Sequence, residues 1–333
     1  MRPTSDTIMQ RPDLGQAVYE TMQAAPTMGY VSMQILPAFR VPVSAAEYPV
    51  IPKEALFNIL DTRRGPYGHY NRYTGAFESG FYRTVEQGLE RPIDDRFRAL
   101  YQSKFSYELT ISNILMQDIL RAQEVRVKNL VFSTSNFTPV NAATAWATVA
   151  TATPAADVQK GKDALRLNGI IPNTLVVPYA QYLNLITNKE VLDRLAAIFP
   201  ETRLTGQVGI DHLKTYFDVE RLLVAGSLYN TKNPGQNAVL SDIWGDQFAL
   251  LCRTASPGAD ITEPCIGRTF LWNEGAGEEV IVEEYYSNET RSTVLRVRHD
   301  VIEAFLASFD ESGNPKSEIS KACGYLIDCK KEQ

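Results

Sequence analysis

The residues of this chain that can do chemistry are few and poorly grouped. Its histidines stand at His69, His212 and His299, with Asp211 before the second and Asp300 after the third. An acid next to an imidazole in sequence does not make a catalytic triad, which is defined by placement around a nucleophile. Each histidine is therefore read as a surface or satisfied core residue. Glu278-Glu279 and Glu283-Glu284 lie in strand-compatible runs. Neighbours on a strand point to opposite faces, so neither pair suits paired-carboxylate chemistry. Asp242 and Asp246 supply two carboxylates, too few for a cation site. Cys252, Cys265, Cys323 and Cys329 form no C-x-x-C pair and no metal-ligand spacing with the histidines, so reduced thiols in a cytosolic setting are expected. The chain has no G-x-G-x-x-G, Walker A, G-x-S-x-G or H-E-x-x-H pattern. The expectation is a non-enzyme with no catalytic residue, cofactor or metal.

One stretch carries the chemistry of contact instead. Arg63-Arg64-Gly65-Pro66-Tyr67-Gly68-His69-Tyr70-Asn71-Arg72-Tyr73 interleaves cations with aromatic rings. Such a pattern can stack on single-stranded nucleic acid. Tyrosine and arginine are also enriched at protein interfaces. The formal charge of −6 favours the interface, because an acidic chain repels a phosphate backbone. Arg63, Arg64, Tyr67, His69, Tyr70, Arg72 and Tyr73 are accordingly the candidate intersubunit residues. Strand-compatible runs at Tyr48 to Ile51 and Phe77 to Thr84 flank them, which predicts a long hairpin or loop. An isolated two-stranded ribbon is marginal, so this one is expected to rest on another subunit.

The element that must position this ribbon is a long helix predicted over Arg91 to Val131. From Ile93 to Thr138 there is neither glycine nor proline, and Pro92, Asp94 and Asp95 suit a helix start. At helical spacing Phe97, Leu100, Tyr101, Tyr107, Ile111, Ile114, Leu115 and Ile119 share one broad face. A helix of that length would reach on the order of 50 Å, a strut rather than a core helix. Around it, 44% hydrophobic content supports a sizeable core, and no apolar run approaches the roughly 20 residues of a membrane span. The first residues lack the pattern of a secretion signal, so the sequons at Asn136 and Asn288 are expected to carry no glycan.

Before the hairpin, residues 1–40 read as an arm, with a short helix from Asp13 to Met22. Beyond the long helix, the pattern predicts helices over Asp157 to Leu167, Gln181 to Thr187, Val191 to Phe199 and Asp211 to Phe217. A turn leading into a buried apolar strand is predicted over Ile170 to Pro178, with further strands at Arg221 to Gly226 and Phe248 to Cys252, an α+β or α/β unit. From Gly258 the character turns to β, at Thr269 to Trp272, Glu279 to Tyr286 and Ser292 to Arg298. A short helix is expected at Val301 to Phe309 and a closing strand at Cys323 to Cys329.

Several of these blocks carry a likeness. Trp146, the Pro154 to Leu167 helix and Pro172-Asn173-Thr174-Leu175-Val176 resemble a block found in major capsid proteins of tailed bacteriophages. Val224-Ala225-Gly226 with Tyr229-Asn230-Thr231, Ile243-Trp244-Gly245, and Val282-Glu283-Glu284-Tyr285 resemble it too. Their order matches the Hong Kong 97-like capsid fold from about residue 35 onwards.

The resemblance implies an α+β fold with an N-terminal arm (1–40) and an extended loop (41–90) lying across a neighbouring subunit. It implies a peripheral domain with the spine helix (91–132 and 256–311) and an axial domain (133–255 and 312–333). It also implies a structural head protein that self-assembles through pentamers and hexamers into an icosahedral shell around double-stranded DNA. Its partners would be copies of itself, a portal, and a separate scaffolding or decoration protein, with no sequence-specific DNA binding and no membrane. Its place would be the virion, after assembly in the host cytoplasm. The long scaffold segment fused to some relatives is not expected here. Lys53 is the only lysine of the loop, which gives no basis for the lysine cross-link of other relatives. The alternatives are a shell protein of an encapsulin-type nanocompartment and a soluble cytosolic α/β enzyme.

Overall fold

The structure is a computed structural model that describes residues 8–52, 57–72, 77–102, 106–199, 208–233, 235–256, 258–272, 279–309, 315–317 and 319–330. Lys53, Tyr73 and Glu278 lie outside the described residues. The chain begins with β1 (Met9–Gln10) and α1 (Pro12–Ala24), where Pro12 occupies a first-turn position that needs no N–H. Next come α2 (Ser32–Ile35), β2 (Ala38–Val41), β3 (Ala45–Val50), β4 (Glu78–Arg83) and β5 (Val85–Asp94). Helices α3 (Asp95–Gln102) and α4 (Tyr107–Val131) follow, then β6 (Val140–Asn141) and α5 (Pro154–Leu167). The middle holds β7 (Thr174–Pro178), α6 (Tyr179–Thr187), α7 (Lys189–Ile198), α8 (Ile210–Phe217) and β8 (Arg221–Ala225). A small ribbon, β9 (Leu228–Asn230) with β10 (Leu240–Asp242), precedes β11 (Phe248–Cys252). The chain continues through β12 (Arg268–Trp272), β13 (Ile281–Ser287), β14 (Ser292–Ala304) and β15 (Ser308–Phe309). It closes with β16 (Pro315–Ser317), α9 (Ile319–Ala322) and β17 (Gly324–Asp328).

Two sheets organise these elements. The first runs β1-β13-β14-β12-β2, with β5 paired to the other edge of β14. The second runs β6-β17-β11-β7-β8 and supplies the alternating unit expected of the middle region. Helix α4 joins them. Its first half buries Ile111, Leu115, Met116, Ile119 and Leu120 against Val282, Leu295 and Val297 of the first sheet. Its second half buries Val127 and Val131 with Val176, Leu250 and Leu326 of the second. One helix thus contributes to two hydrophobic cores, which is the work of a strut.

The strut is shorter than its sequence suggested. Arg91, Pro92 and Ile93 are strand residues of β5, antiparallel to Leu295, Val294 and Thr293 of β14. A proline is tolerated on an edge strand because its missing N–H is not needed there. The long ladder with β14 outweighs the local helix-start signals, a tertiary override. Helix begins only at Asp95, and α4 spans about 37 Å at 1.5 Å per residue. The expected apolar face is also split: Ile111, Leu115 and Ile119 are buried, whereas Phe97, Leu100 and Ile114 are exposed.

The helix expected at Val301 to Phe309 is strand instead. β14 continues to Ala304, pairing Val301 with Leu271 and Ile302 with Phe270, and β15 follows. β-branched side chains at 301 and 302 fit a pleated, buried surface. The closing strand reads as expected, since β17 lies between β6 and β11 in the second sheet.

Candidate intersubunit surface

The expected hairpin is present as the ribbon of β3 and β4, paired antiparallel from Ala45 with Arg83 to Val50 with Glu78. Its base is fixed by aromatic packing. The Tyr82 ring stacks on Phe270 of β12 at 4.6 Å between centroids, and Tyr48 lies 5.5 Å from the same ring. The Tyr48 hydroxyl donates to the Ala307 carbonyl at 3.2 Å, and its burial pushes that phenol above its ordinary pKa. Gly80 faces the Tyr48 ring so closely that a Cβ would overlap it. The ribbon leaves the body at a rigid root.

Beyond the root the character changes. Every described residue from Phe57 to Arg72 is exposed. Among them, Ile59 and Tyr67 are fully exposed and Tyr70 is 71% exposed. The loop holds its shape by local bonds. The Arg64 Nε donates to the Gly68 carbonyl at 2.7 Å, and its guanidinium stacks over Tyr70 at 4.7 Å. The Asn71 amide donates to the Asp61 carbonyl at 2.8 Å, and the Gly68 N–H donates to the Gly65 carbonyl. Tyr67 sits at φ +62°, a left-handed conformation that a bulky side chain rarely adopts. Asp61, Tyr70, Asn71 and Arg72 line one shallow cleft with Leu60 and Thr62, and Arg64 stacks on its Tyr70. Arg63 pairs with Asp61 at 3.5 Å, and Tyr67 and His69 are exposed outside that lining. Phe57, at the loop's near end, rests against Gly169, whose φ of +79° ends α5.

The other candidate residues are placed in structural roles. The His212 Nδ1 accepts from the Gly209 N–H at 3.1 Å, and the ring packs on Phe199. Asp211 points to Lys214 at 2.8 Å, and that ammonium holds its carboxyl below the ordinary value. His299 faces the helix side of the first sheet, where burial, with help from Arg126, lowers its pKa to about 4. Asp300 turns to the opposite face, towards Arg298. Neither Asp–His neighbour pair forms a dyad. Asp246 pairs with Lys330 at 2.7 Å, whereas Asp242 is exposed on β10. The four cysteines are buried thiols, and burial raises the pKa of each. Glu283 is buried and binds Arg298 at 3.0 Å, while Glu284 pairs with Arg11 of the arm on the other face. No group of three or more potential metal-ligating side chains occurs among the described residues.

Sequence reasoning missed Glu124. It is fully buried on α4, and its carboxylate accepts from the Val31 N–H (2.9 Å), the Ser32 N–H (3.0 Å), the Trp244 Nε1–H (2.7 Å) and the Ser227 hydroxyl (3.4 Å). It ties arm, strut and second sheet together at one point. The available signal was an acid standing between Leu120 and Val127 on an apolar helix face. Asp157 plays a similar part, accepting from the Ala143 N–H and the Trp146 indole, both at 3.1 Å.

No family model and no curated protein matches the chain. Solved structures do. The chain superposes on a phage-related protein of Bordetella bronchiseptica RB50 with a TM-score of 0.67 and 20% identity, over 96% of this chain and 97% of that one. A virus-like particle from Pyrococcus furiosus gives a TM-score of 0.52 and 10% identity, over 95% and 98%. A chain of Mycobacterium phage Bobi gives 0.50 and 11%, over 90% of each.

Proposed function

We propose, from the Hong Kong 97-like capsid fold that this chain adopts, that it is a structural shell protein, the major capsid protein of a tailed bacteriophage. The observation that carries the reading is the loop from Phe57 to Arg72: rigidly rooted, exposed throughout, and rich in arginine and tyrosine. Surface of that composition is interface surface. In this reading Arg63, Arg64, Tyr67, His69, Tyr70, Arg72 and Tyr73 clamp a neighbouring subunit. Contacts of this head-to-tail kind close into rings, here pentamers and hexamers, and rings tile into an icosahedral shell. Residues 1–40 are the arm and 41–90 the extended loop. Residues 91–132 with 256–311 are the peripheral domain, and 133–255 with 312–333 the axial domain.

The chain's work is mechanical rather than catalytic. Many modest contacts per copy sum to a stable shell while each forms reversibly during assembly. The net charge of −6 suits a container for double-stranded DNA, because its wall does not trap the polymer as it is packed. A portal and a separate scaffolding or decoration protein complete the head, assembled in the host cytoplasm. The likeness to a virus-like particle of the same fold keeps a nanocompartment as the second reading.

Electron microscopy of the expressed protein tests both. Closed particles are expected, and tailed or DNA-filled heads from the source separate phage from nanocompartment. A monomer or dimer that forms nothing larger on crowding overturns the shell. Replacing Tyr67, Tyr70 and Tyr73 by Ser is expected to leave the monomer folded, by circular dichroism, and to impair particle formation. Normal particles from that variant would show that the loop is no clamp.

A further inference from the structure

Helices α5, α7 and α8 share a hydrophobic core with the second sheet and leave a hollow of about 400 Å³ between them. Small-molecule sites enclose about 300–1,000 Å³, so the hollow is large enough to be one. Val158 and Phe217 are its buried apolar lining. Four charged side chains stand round it, Lys162 and Arg194 against Glu190 and Asp218, so the lining carries no net charge. Both cations are engaged. The Lys162 ammonium donates to the Asp218 carbonyl at 2.6 Å and to its carboxylate at 3.0 Å. Arg194 lies 3.2 Å from Glu190, and its guanidinium sits 5.9 Å over the Tyr216 ring.

Two polar atoms of this lining are left over. Glu190 Oε2 and the Tyr216 hydroxyl are buried, and neither has a hydrogen-bond partner among the described residues. Burial, with the charge of Glu190 nearby, pushes the Tyr216 phenol up to about 12, so it keeps its proton. It is a donor without an acceptor, and Oε2 is an acceptor without a donor. Leaving such groups unpaired lowers stability, and departures of this kind collect where a protein takes a ligand.

The pair calls for a ligand group that donates and accepts at once. An ammonium cannot accept from the phenol, and a carboxylate cannot donate to Glu190. An alcohol hydroxyl does both. Water does too, but one molecule takes about 30 Å³ of liquid volume, a small part of this hollow. The exposed Asp218 carboxylate and further N–H groups of Arg194 offer bonds to other hydroxyls at the rim. Val158 and Phe217 suit the C–H face of a saturated ring.

We propose that the hollow between α5, α7 and α8 binds an uncharged polyhydroxylated ligand of monosaccharide size, one hydroxyl of which donates to Glu190 Oε2 and accepts from Tyr216. The site is built within one chain, so it stands or falls apart from the shell reading.

Saturation-transfer magnetic resonance and calorimetric titration of the whole chain test it, with glucose, galactose, mannose and N-acetylglucosamine as probes. Saturable binding of at least one is expected, with a dissociation constant of roughly 1–10 mM. Glu190→Gln and Tyr216→Phe are each expected to weaken it about tenfold or more. Tyr216→Phe also removes a hydroxyl that has no partner, so its urea midpoint should stay level or rise while binding is lost. A midpoint that falls marks a structural role for the hydroxyl and overturns the proposal. Should circular dichroism show Glu190→Gln unfolded, Tyr216→Phe carries the test alone. No saturation at about ten times the expected range leaves the hollow to water and overturns the proposal. So does unchanged binding by the folded variants, or tighter binding of putrescine, acetate or acetamide.

Discussion

Removing the Glu124 carboxylate is the sharpest test of how the parts of this molecule are held together. In Glu124→Ala the buried N–H groups of Val31 and Ser32 and the indole N–H of Trp244 lose acceptors at 2.9, 3.0 and 2.7 Å. Each buried donor left unsatisfied costs about 1–3 kcal/mol, so three set a ceiling near ~9 kcal/mol. Two effects reduce that sum. The desolvation of the buried carboxylate, worth several kcal/mol, disappears with it. Water can also enter the polar space that the side chain leaves. A net loss of about 3 kcal/mol is expected, a large fraction of the stability of an ordinary domain. Glu124→Gln keeps the shape but turns an amide donor towards donors, for an expected loss of about 2 kcal/mol. Urea unfolding followed by tryptophan fluorescence measures both. The midpoint should fall with an unchanged slope, which marks a stability change rather than a new denatured state. Hydrogen exchange at Val31 and Ser32 should quicken by more than at the strands of the first sheet. A loss under about 0.5 kcal/mol for Glu124→Ala would refute the claim that this carboxylate pins arm, strut and second sheet.

His299 predicts acid sensitivity. Its folded pKa of about 4 lies below the ordinary 6.5, so the unfolded chain takes up the proton first. Its contribution is fully present above about pH 6.5, falls as pH drops, and is lost near pH 4, in total about 3 kcal/mol. Since Nε2 has no partner among the described residues, His299→Leu should be stable at pH 8 and should lose about one proton's worth of slope between pH 6.5 and 4. An unchanged slope in unfolding measured across that range sinks this reading. At Gly161 of α5, a Cβ would stand 2.7 Å from Tyr325 Cδ1 and 3.0 Å from Leu251 Cδ2, both in the second sheet. Gly161→Ala gains about 1 kcal/mol of helix propensity but overpacks that contact, for an expected net loss of about 1 kcal/mol by thermal or urea unfolding. A stabilised variant would mean that the helix slides on its sheet at little cost.

Much of the architecture was present in local pattern. Helices α1, α5, α6, α7 and α8 and strands β7, β8, β11 and β17 follow from periodicity, capping residues and short apolar runs, all of which act within a few residues of chain. The exposed, aromatic and basic character of the loop is equally a property of its composition. The succession of weak motifs carried the fold as a whole. What local pattern misjudged was decided by distant partners. Residues 91–93 are strand because β14 lies beside them, and residues 301–304 are strand because β12 does.

The candidate surface divides the same way. Its arginines and tyrosines could be read from residue types, but the root that presents them exists only after folding, when Tyr48 and Tyr82 meet Phe270. Glu86, Glu90 and Asp94 share a side because β5 is extended; the helix expected from Arg91 would have carried Asp94 alone and left the other two in the loop before it. Glu124 makes the same point from inside. Its sequence context marks an acid on an apolar helix, and only the tertiary structure brings residues 31, 32, 227 and 244 to its oxygens. Local chemistry chose the elements of this protein. Long-range pairing chose which surfaces they share, because burying a polar group is favourable only where remote chain supplies its partner.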